Sequence, residues 1–220
     1  MERTFFNEFW KGRERLFEGF LATLEISGLV IVIGLVVGTI FGLLLVYGPR
    51  PIRILMRIYV DVLRGIPILV LILFSYYGLA LIGLNISAFS AGVVALSGFC
   101  IAHMAETFRG AIDSIPAGQT EAAKAIGLTF PQRTWYVLLP QAARRIVPPA
   151  INTAVEMVKG TTLLSVIGVL EILLATQQAI ARNYMVLEFY GTAMAFYFIL
   201  NFSLSRAGAY FERRFGFIRY

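Results

Sequence analysis

Polar positions along this chain fall in short islands between long apolar runs. The first run covers 19–47 and is interrupted only by Glu25. At about 1.5 Å per residue it predicts one helix able to cross a hydrocarbon layer about 30 Å thick. Gly34, Gly38 and Gly42 recur every fourth residue, so they share one helix face, as in close-packed membrane helices. Gly48-Pro49-Arg50-Pro51 ends the run, because proline lacks the donor that a helix ladder needs. A basic amphipathic stretch, 52–64, follows with Arg53, Arg57, Asp61 and Arg64. A second span is expected over 66–82, a turn at Gly83-Leu84-Asn85, and a third span over 86–104, ending at Met104. His103, Glu106 and Arg109 make the end of that span polar.

Residues 106–145 mix polar and apolar positions and read as a loop with helical signals of its own. The next apolar stretch, 146–175, contains Pro148, Pro149, Asn152, Glu156, Lys159, Gly160 and Glu171. Neither piece either side of Gly160 reaches the roughly 20 residues of a full span. One broken span is therefore expected, with non-helical backbone near Gly160-Thr161 buried in protein. The last span is expected over 186–204, and Arg206, Arg213, Arg214 and Arg219 follow it. The predicted fold is all-α and membrane-integral, with about five transmembrane helices over 19–205. An N-terminal segment (1–18) and a basic tail (206–220) flank it.

Composition closes off other readings. The chain is 58% hydrophobic and only 15% charged, with a mean hydropathy of +0.77. A single soluble core could not bury that much apolar side chain. One cysteine and one histidine exclude a disulfide within the chain and a Cys-clustered zinc site. No lysine precedes Ser or Thr in a phosphate-binding G-K-[ST] pattern, so a nucleotide loop is absent. Thirteen of the nineteen basic residues fall in the 48–64 loop, the 106–145 loop and the C-terminal tail. Basic loops mark the cytoplasmic side, which predicts an extracytoplasmic N-terminus, a cytoplasmic C-terminus and a cytoplasmic 106–145 loop. The positive charge then reflects orientation and lipid headgroups, not nucleic acid.

The 106–145 loop carries the most specific signal. Thr120 reads as an N-cap with Glu121 in the first turn, Ala122, Ala123 and Ala125 as good helix formers, and Gly127 as the stop. A helix of about two turns made of small side chains is marginal alone and needs a partner to dock against. Thr129, Pro131 and Gln132 signal a second helix start. Glu121-Ala122-Ala123, three residues, Gly127, nine residues, Val137, one residue and Leu139-Pro140 resemble the EAA motif of ABC-importer permeases. Three further stretches (59–67, 105–112 and 158–163) are similar to the permeases for polar amino acids, the histidine, glutamine and glutamate type. Two positions depart from that pattern. Gly160 follows Lys159 where an acidic residue is frequent, and residues 68–73 lack the glutamine often found there.

The resemblance implies a non-enzymatic, multi-pass subunit of a type I importer in the bacterial inner membrane, paired with a second copy or a paralogue. It implies partner ATPase subunits that bind ATP and Mg, so that this chain needs no cofactor of its own. It also implies an extracytoplasmic amino-acid-binding protein, and a coupling role for Glu121, Ala122, Ala123, Gly127, Leu139 and Pro140. Candidates for the solute path are Glu156, Lys159, Thr161, Thr162, Arg109 and Met104. Glu156 and Lys159, three apart on one helix face, fit either solute contacts or an internal ion pair. Thr161 and Thr162 fit solute contact, helix capping or back-bonding to a carbonyl. Arg109 fits a loop brace or a solute ligand. An ion-coupled secondary transporter for a small polar solute is the competing function. The absence of two matched halves of spans argues against it.

Overall fold

The computed structural model describes residues 4–215, and among these all regular structure is helical. Eight helices follow one another: α1 (Phe5–Tyr47), α2 (Arg50–Gly65), α3 (Ile68–Leu81), α4 (Ala88–Asp113), α5 (Ala117–Ala125), α6 (Phe130–Ile167), α7 (Ile172–Asn183) and α8 (Val186–Phe215). α3 contains a π turn at Phe74–Gly78, and α6 contains one at Thr134–Leu138. α6 ends in a 3-10 segment, Thr161–Ile167. Among the described residues α1 and α4 are each long and apolar enough to cross a membrane. The pairs α2–α3 and α6–α7, each broken by a short bend, bring the number to four if each counts as one span. α8 covers the stretch expected for the last span and is long enough, at about 45 Å by its 30 residues, but it falls short of the apolarity that marks the others. Residues 5–18 form the opening turns of α1, and Arg219 of the expected tail lies outside the described residues.

Helix ends differ from expectation in two places. The broken span does not break at Gly160-Thr161. Gly160 keeps helical backbone (φ −60°, ψ −24°) and α6 runs on to Ile167. The break lies at Gly168–Leu170, where Gly168 adopts φ +82°. The Gly168 N–H then donates to the Ser165 carbonyl (3.1 Å) and the Val169 N–H to the Leu164 carbonyl (3.2 Å), a Schellman stop. Thr161 and Thr162 accordingly do not cap a resumed helix. Their hydroxyls donate back to the carbonyls of Val158 (2.8 Å) and Lys159 (2.7 Å). In the second place, α5 starts at Ala117 behind Pro116, not behind Thr120. Pro116 has extended backbone and its carbonyl accepts from Gln119, so the helix gains its first turn early. Glu121 therefore sits beyond the first turn, where the helix dipole no longer favours it.

The chain divides into two compact units. The first comprises, of the described residues, 4–32, 66–98 and 154–203. Here Leu16, Ala175 and Phe189 form a buried cluster edged by Phe5, Phe9, Leu170 and Ile180. The start of α7 is held by buried polar groups. Glu171 is its N-cap, and its carboxylate accepts from the N–H groups of Leu173 (2.8 Å) and Leu174 (2.7 Å) and from the Tyr197 hydroxyl (2.6 Å). Thr23, fully buried, donates to the Gly19 carbonyl (2.9 Å) and accepts from the Ile172 N–H (3.2 Å). Gly19 permits this approach, since a Cβ there would stand 2.8 Å from the Glu171 carbonyl oxygen.

The second unit comprises 33–65, 99–153 and, of the described residues, 204–215. Its seam is the predicted glycine face. A Cβ on Gly34 would overlap Cys100, one on Gly38 would lie 2.5 Å from the Met104 Cβ, and one on Gly42 would lie 2.6 Å from the Phe108 Cβ. Three glycines at spacing four thus meet three α4 side chains at spacing four. Two clusters flank the seam. Leu45, Val60, Ala102 and Ala105 are buried with Phe41, Met56, Tyr59 and Leu63 packed round them. Phe108, Ile112, Ile115, Leu138 and Ala142 form the other. Arg53 donates to the Gly48 carbonyl (3.1 Å), satisfying an orphan acceptor at the end of α1.

Candidate functional site

α5 and its flanks lie in the second unit and are held at both ends. At its root, the Arg145 guanidinium donates to the Ser114 carbonyl (2.6 Å) and hydroxyl (3.0 Å). The Gln141 side-chain amide donates to the Gln119 side-chain carbonyl (3.2 Å) and to the Val137 carbonyl (2.9 Å), tying α5 to α6. At its far end Gly127 adopts φ +80°. The Gly127 N–H donates to Lys124 (2.9 Å) and the Leu128 N–H to Ala123 (3.0 Å), again a Schellman stop. A Cβ on Gly127 would meet nothing within 4 Å, so the turn, not crowding, requires glycine there. Thr129 and Gln132 then open α6 with the predicted capping box, and the Thr129 N–H donates to the Gln132 side chain (2.9 Å).

This support leaves one face of α5 bare. Ala123 is buried, whereas Gly118, Glu121, Ala122, Ala125 and Ile126 are exposed, Ile126 to 77%. Gly118, Ala122 and Ala125 recur at helical spacing and present a smooth ridge of small side chains. Val137 and Leu139 lie half-buried, Leu139 against the Phe108–Leu138 cluster, while Pro140 is exposed. Pro140 follows the π turn closed by the Leu139 N–H on the Thr134 carbonyl. A residue that cannot donate is thus placed where the regular ladder is already interrupted.

Glu106 is a hub that the sequence only half displays. Its carboxylate takes a bidentate pair from Arg109 (2.9 and 2.6 Å) and lies 3.3 Å from Arg57 and 3.8 Å from Arg64. Arg109 also pairs with Asp113. The sequence sets Glu106 and Arg109 three apart on one helix face, but it gives no sign of the two α2 arginines. With both neighbours engaging it, Arg109 has the geometry of a brace. Met104 is buried, its Cβ against Gly38.

The solute-path candidates of the first unit lie near the end of α6. Glu156 and Lys159 are exposed, and no ion pair joins them among the described residues. Thr161 is fully buried and Thr162 half-buried. Gly160 lies beside apolar groups, with Leu96 and Ile68 side chains 3.5 and 3.8 Å from where its Cβ would be. The structure therefore brings an acid and a base onto one open face beside hydrophobic walls. It leaves the two threonine hydroxyls occupied by backbone carbonyls.

A family profile described as the binding-protein-dependent transport system inner membrane component matches residues 31–217. The glutamine transport system permease protein GlnP of Escherichia coli (strain K12) is 37% identical over 207 residues, covering 93% of this chain and 94% of that protein. The arginine transport system permease protein ArtQ of Bacillus subtilis (strain 168) is 34% identical over 200 residues, covering 90% of this chain and 91% of that protein. Among solved structures, an amino acid ABC transporter crystallised with histidines has a chain 33% identical to this one. It superimposes with a TM-score of 0.90 and covers 97% of this chain and 100% of that one.

Proposed function

The chain belongs to the family of inner membrane components of binding-protein-dependent transport systems, and we propose that it is the permease subunit of an ATP-driven importer for a polar amino acid. Relatives named for glutamine and arginine support the substrate class. The subunit is a transport component, not an enzyme, and it resides in the inner membrane. Its N-terminus faces outward and the 106–145 loop faces the cytoplasm, an orientation supported by the basic bias of the loops. Partner ATPase subunits bind ATP and Mg, a second permease copy or paralogue completes the path, and an extracytoplasmic binding protein delivers the solute.

The observation that carries the coupling role is the bare ridge of α5, braced at Ser114 and Gln119 and stopped at Gly127. Small side chains let a partner's groove close round the helix backbone, and the braces transmit its displacement into α4 and α6. Glu121, Ala122 and Ala123 belong to this docking helix, and Leu139 and Pro140 to the helix that receives the load. Glu156 and Lys159 face the solute, the acid toward an ammonium and the base toward a carboxylate. Thr161, Thr162, Arg109 and Met104 support the path. The family's description as binding-protein-dependent favours this over an ion-coupled carrier.

The test is Gly127→Asp in the full complex, reconstituted with its ATPase and binding protein. Binding-protein-stimulated ATP hydrolysis and uptake should both collapse at normal complex levels. Survival of both would remove the docking role.

A further inference from the structure

We propose that Trp135 and Tyr136, at the start of α6, anchor the coupling loop in the phospholipid headgroup layer. These two side chains are 69% and 71% exposed, although both are large and aromatic. They occupy the π turn, which widens the helix and turns consecutive residues outward. Neither the indole N–H nor the phenol has a hydrogen-bond partner among the described residues. A ring that needs apolar cover and a polar tip that needs a partner are both served at a membrane–water boundary, where Trp and Tyr concentrate.

The height of the patch comes from its neighbour. Phe130 packs edge-on against Tyr47, ring centroids 5.3 Å apart, within the second unit. Tyr47 is the last residue of the α1 apolar run, and Gly48-Pro49-Arg50 follows it at once. Phe130 is therefore level with the end of the α1 apolar run, and Trp135 and Tyr136 follow it within two turns of α6. The same helix carries basic side chains: the Arg133 guanidinium lies 5.3 Å over the Phe130 ring, and Arg144 is exposed further along α6. These charges complement lipid phosphates. The α5 ridge, by contrast, is built of glycine and alanine, so the two exposed surfaces differ in kind. An anchor of this sort holds the loop at fixed depth, so that force on α5 moves helices rather than dragging the whole loop through the interface. Placing it in the cytoplasmic leaflet rests on the proposed orientation; its contact with lipid does not.

The chain has two tryptophans, so Trp10→Phe leaves Trp135 as the sole indole emitter in this subunit. That variant, assembled with its ATPase after Trp→Phe replacement in the partner, is placed in vesicles of phosphatidylcholine brominated near the top of the acyl chain. Trp135→Phe serves as the blank. Trp135 emission should lose most of its intensity relative to unbrominated vesicles, with and without the ATPase. Undiminished emission would overturn the proposal. So would quenching in the isolated permease that vanishes when the ATPase binds, which would assign the patch to the protein partner instead.

Discussion

Replacing Gly38 by alanine tests the central seam of the second unit with one methyl group. Built on the existing backbone, the new Cβ would lie 2.5 Å from the Met104 Cβ, 3.0 Å from the Ile101 carbonyl oxygen and 3.3 Å from the Ala105 nitrogen. Carbon atoms prefer separations of about 3.5–4.0 Å, so the first contact is short by about 1–1.5 Å. Two of the three neighbours are backbone and the third is a Cβ, so no rotamer change relieves the clash. The helices must part locally. Overpacking of this kind costs about 1–3 kcal/mol. Alanine returns up to about 1 kcal/mol of helix propensity. With the cost at the upper end of that range, because none of the three neighbours can swing aside, the net loss is about 2 kcal/mol, or a fall of roughly 4–8 °C in melting midpoint for a chain of this size.

The seam carries its own reporter. Cys100 is the only cysteine, is fully buried and faces Gly34. A thiol-reactive dye added to the purified protein in detergent during heating reads the seam directly. Gly38→Ala should react at lower temperature than the parent. Gly28→Ala on the same helix is the control, because a Cβ there meets nothing within 4 Å. It should leave the midpoint unchanged or raise it slightly. A Gly38→Ala midpoint equal to or above the parent's would refute the seam, since no flexible group is available to absorb the methyl.

The other predictions concern polar groups. Tyr197→Phe removes one of three donors from the buried Glu171 carboxylate and should lower stability by about 1–2 kcal/mol, whereas Glu171→Ala loses the cap as well and should cost more; thermal melts that reverse this order would refute the network. Glu106→Gln removes the shared anion of Arg57, Arg64 and Arg109, which are partly exposed, so the loss should be about 1 kcal/mol at low salt and shrink at high salt. A salt-independent difference in melting midpoint would contradict that reading. Lys159→Met should raise the solute concentration for half-maximal uptake while leaving the melt unchanged, because its side chain is exposed and makes no ion pair among the described residues.

The features that could be read from sequence share one physical property: they are decided within a few residues. Glycines every fourth residue must share a helix face whatever surrounds them, and the seam against Cys100, Met104 and Phe108 follows once a second helix arrives. Thr129, Pro131 and Gln132 satisfy one another locally, and Gly127 is needed for a backbone angle that few other residues adopt. The break in 146–175 lies at Gly168–Leu170 and not at the expected Gly160-Thr161 for the converse reason. Gly160 and the two threonines are local helix breakers, but a helical glycine costs only about 1 kcal/mol, and Gly160 is packed beside Leu96 and Ile68. The true break gathers its partners from far along the chain: Glu171 caps α7, the Tyr197 hydroxyl reaches its carboxylate, and Thr23 and Gly19 approach from α1. Arg57 reaches Glu106 across 49 positions, and no spacing rule predicts that pair. The site divides the same way. The proposed docking helix is legible because, on that proposal, its partner lies outside the chain and its own residues must carry the signal. The braces at Arg145 and Gln141, which tie α5 and its root to α6, depend on folding to exist at all.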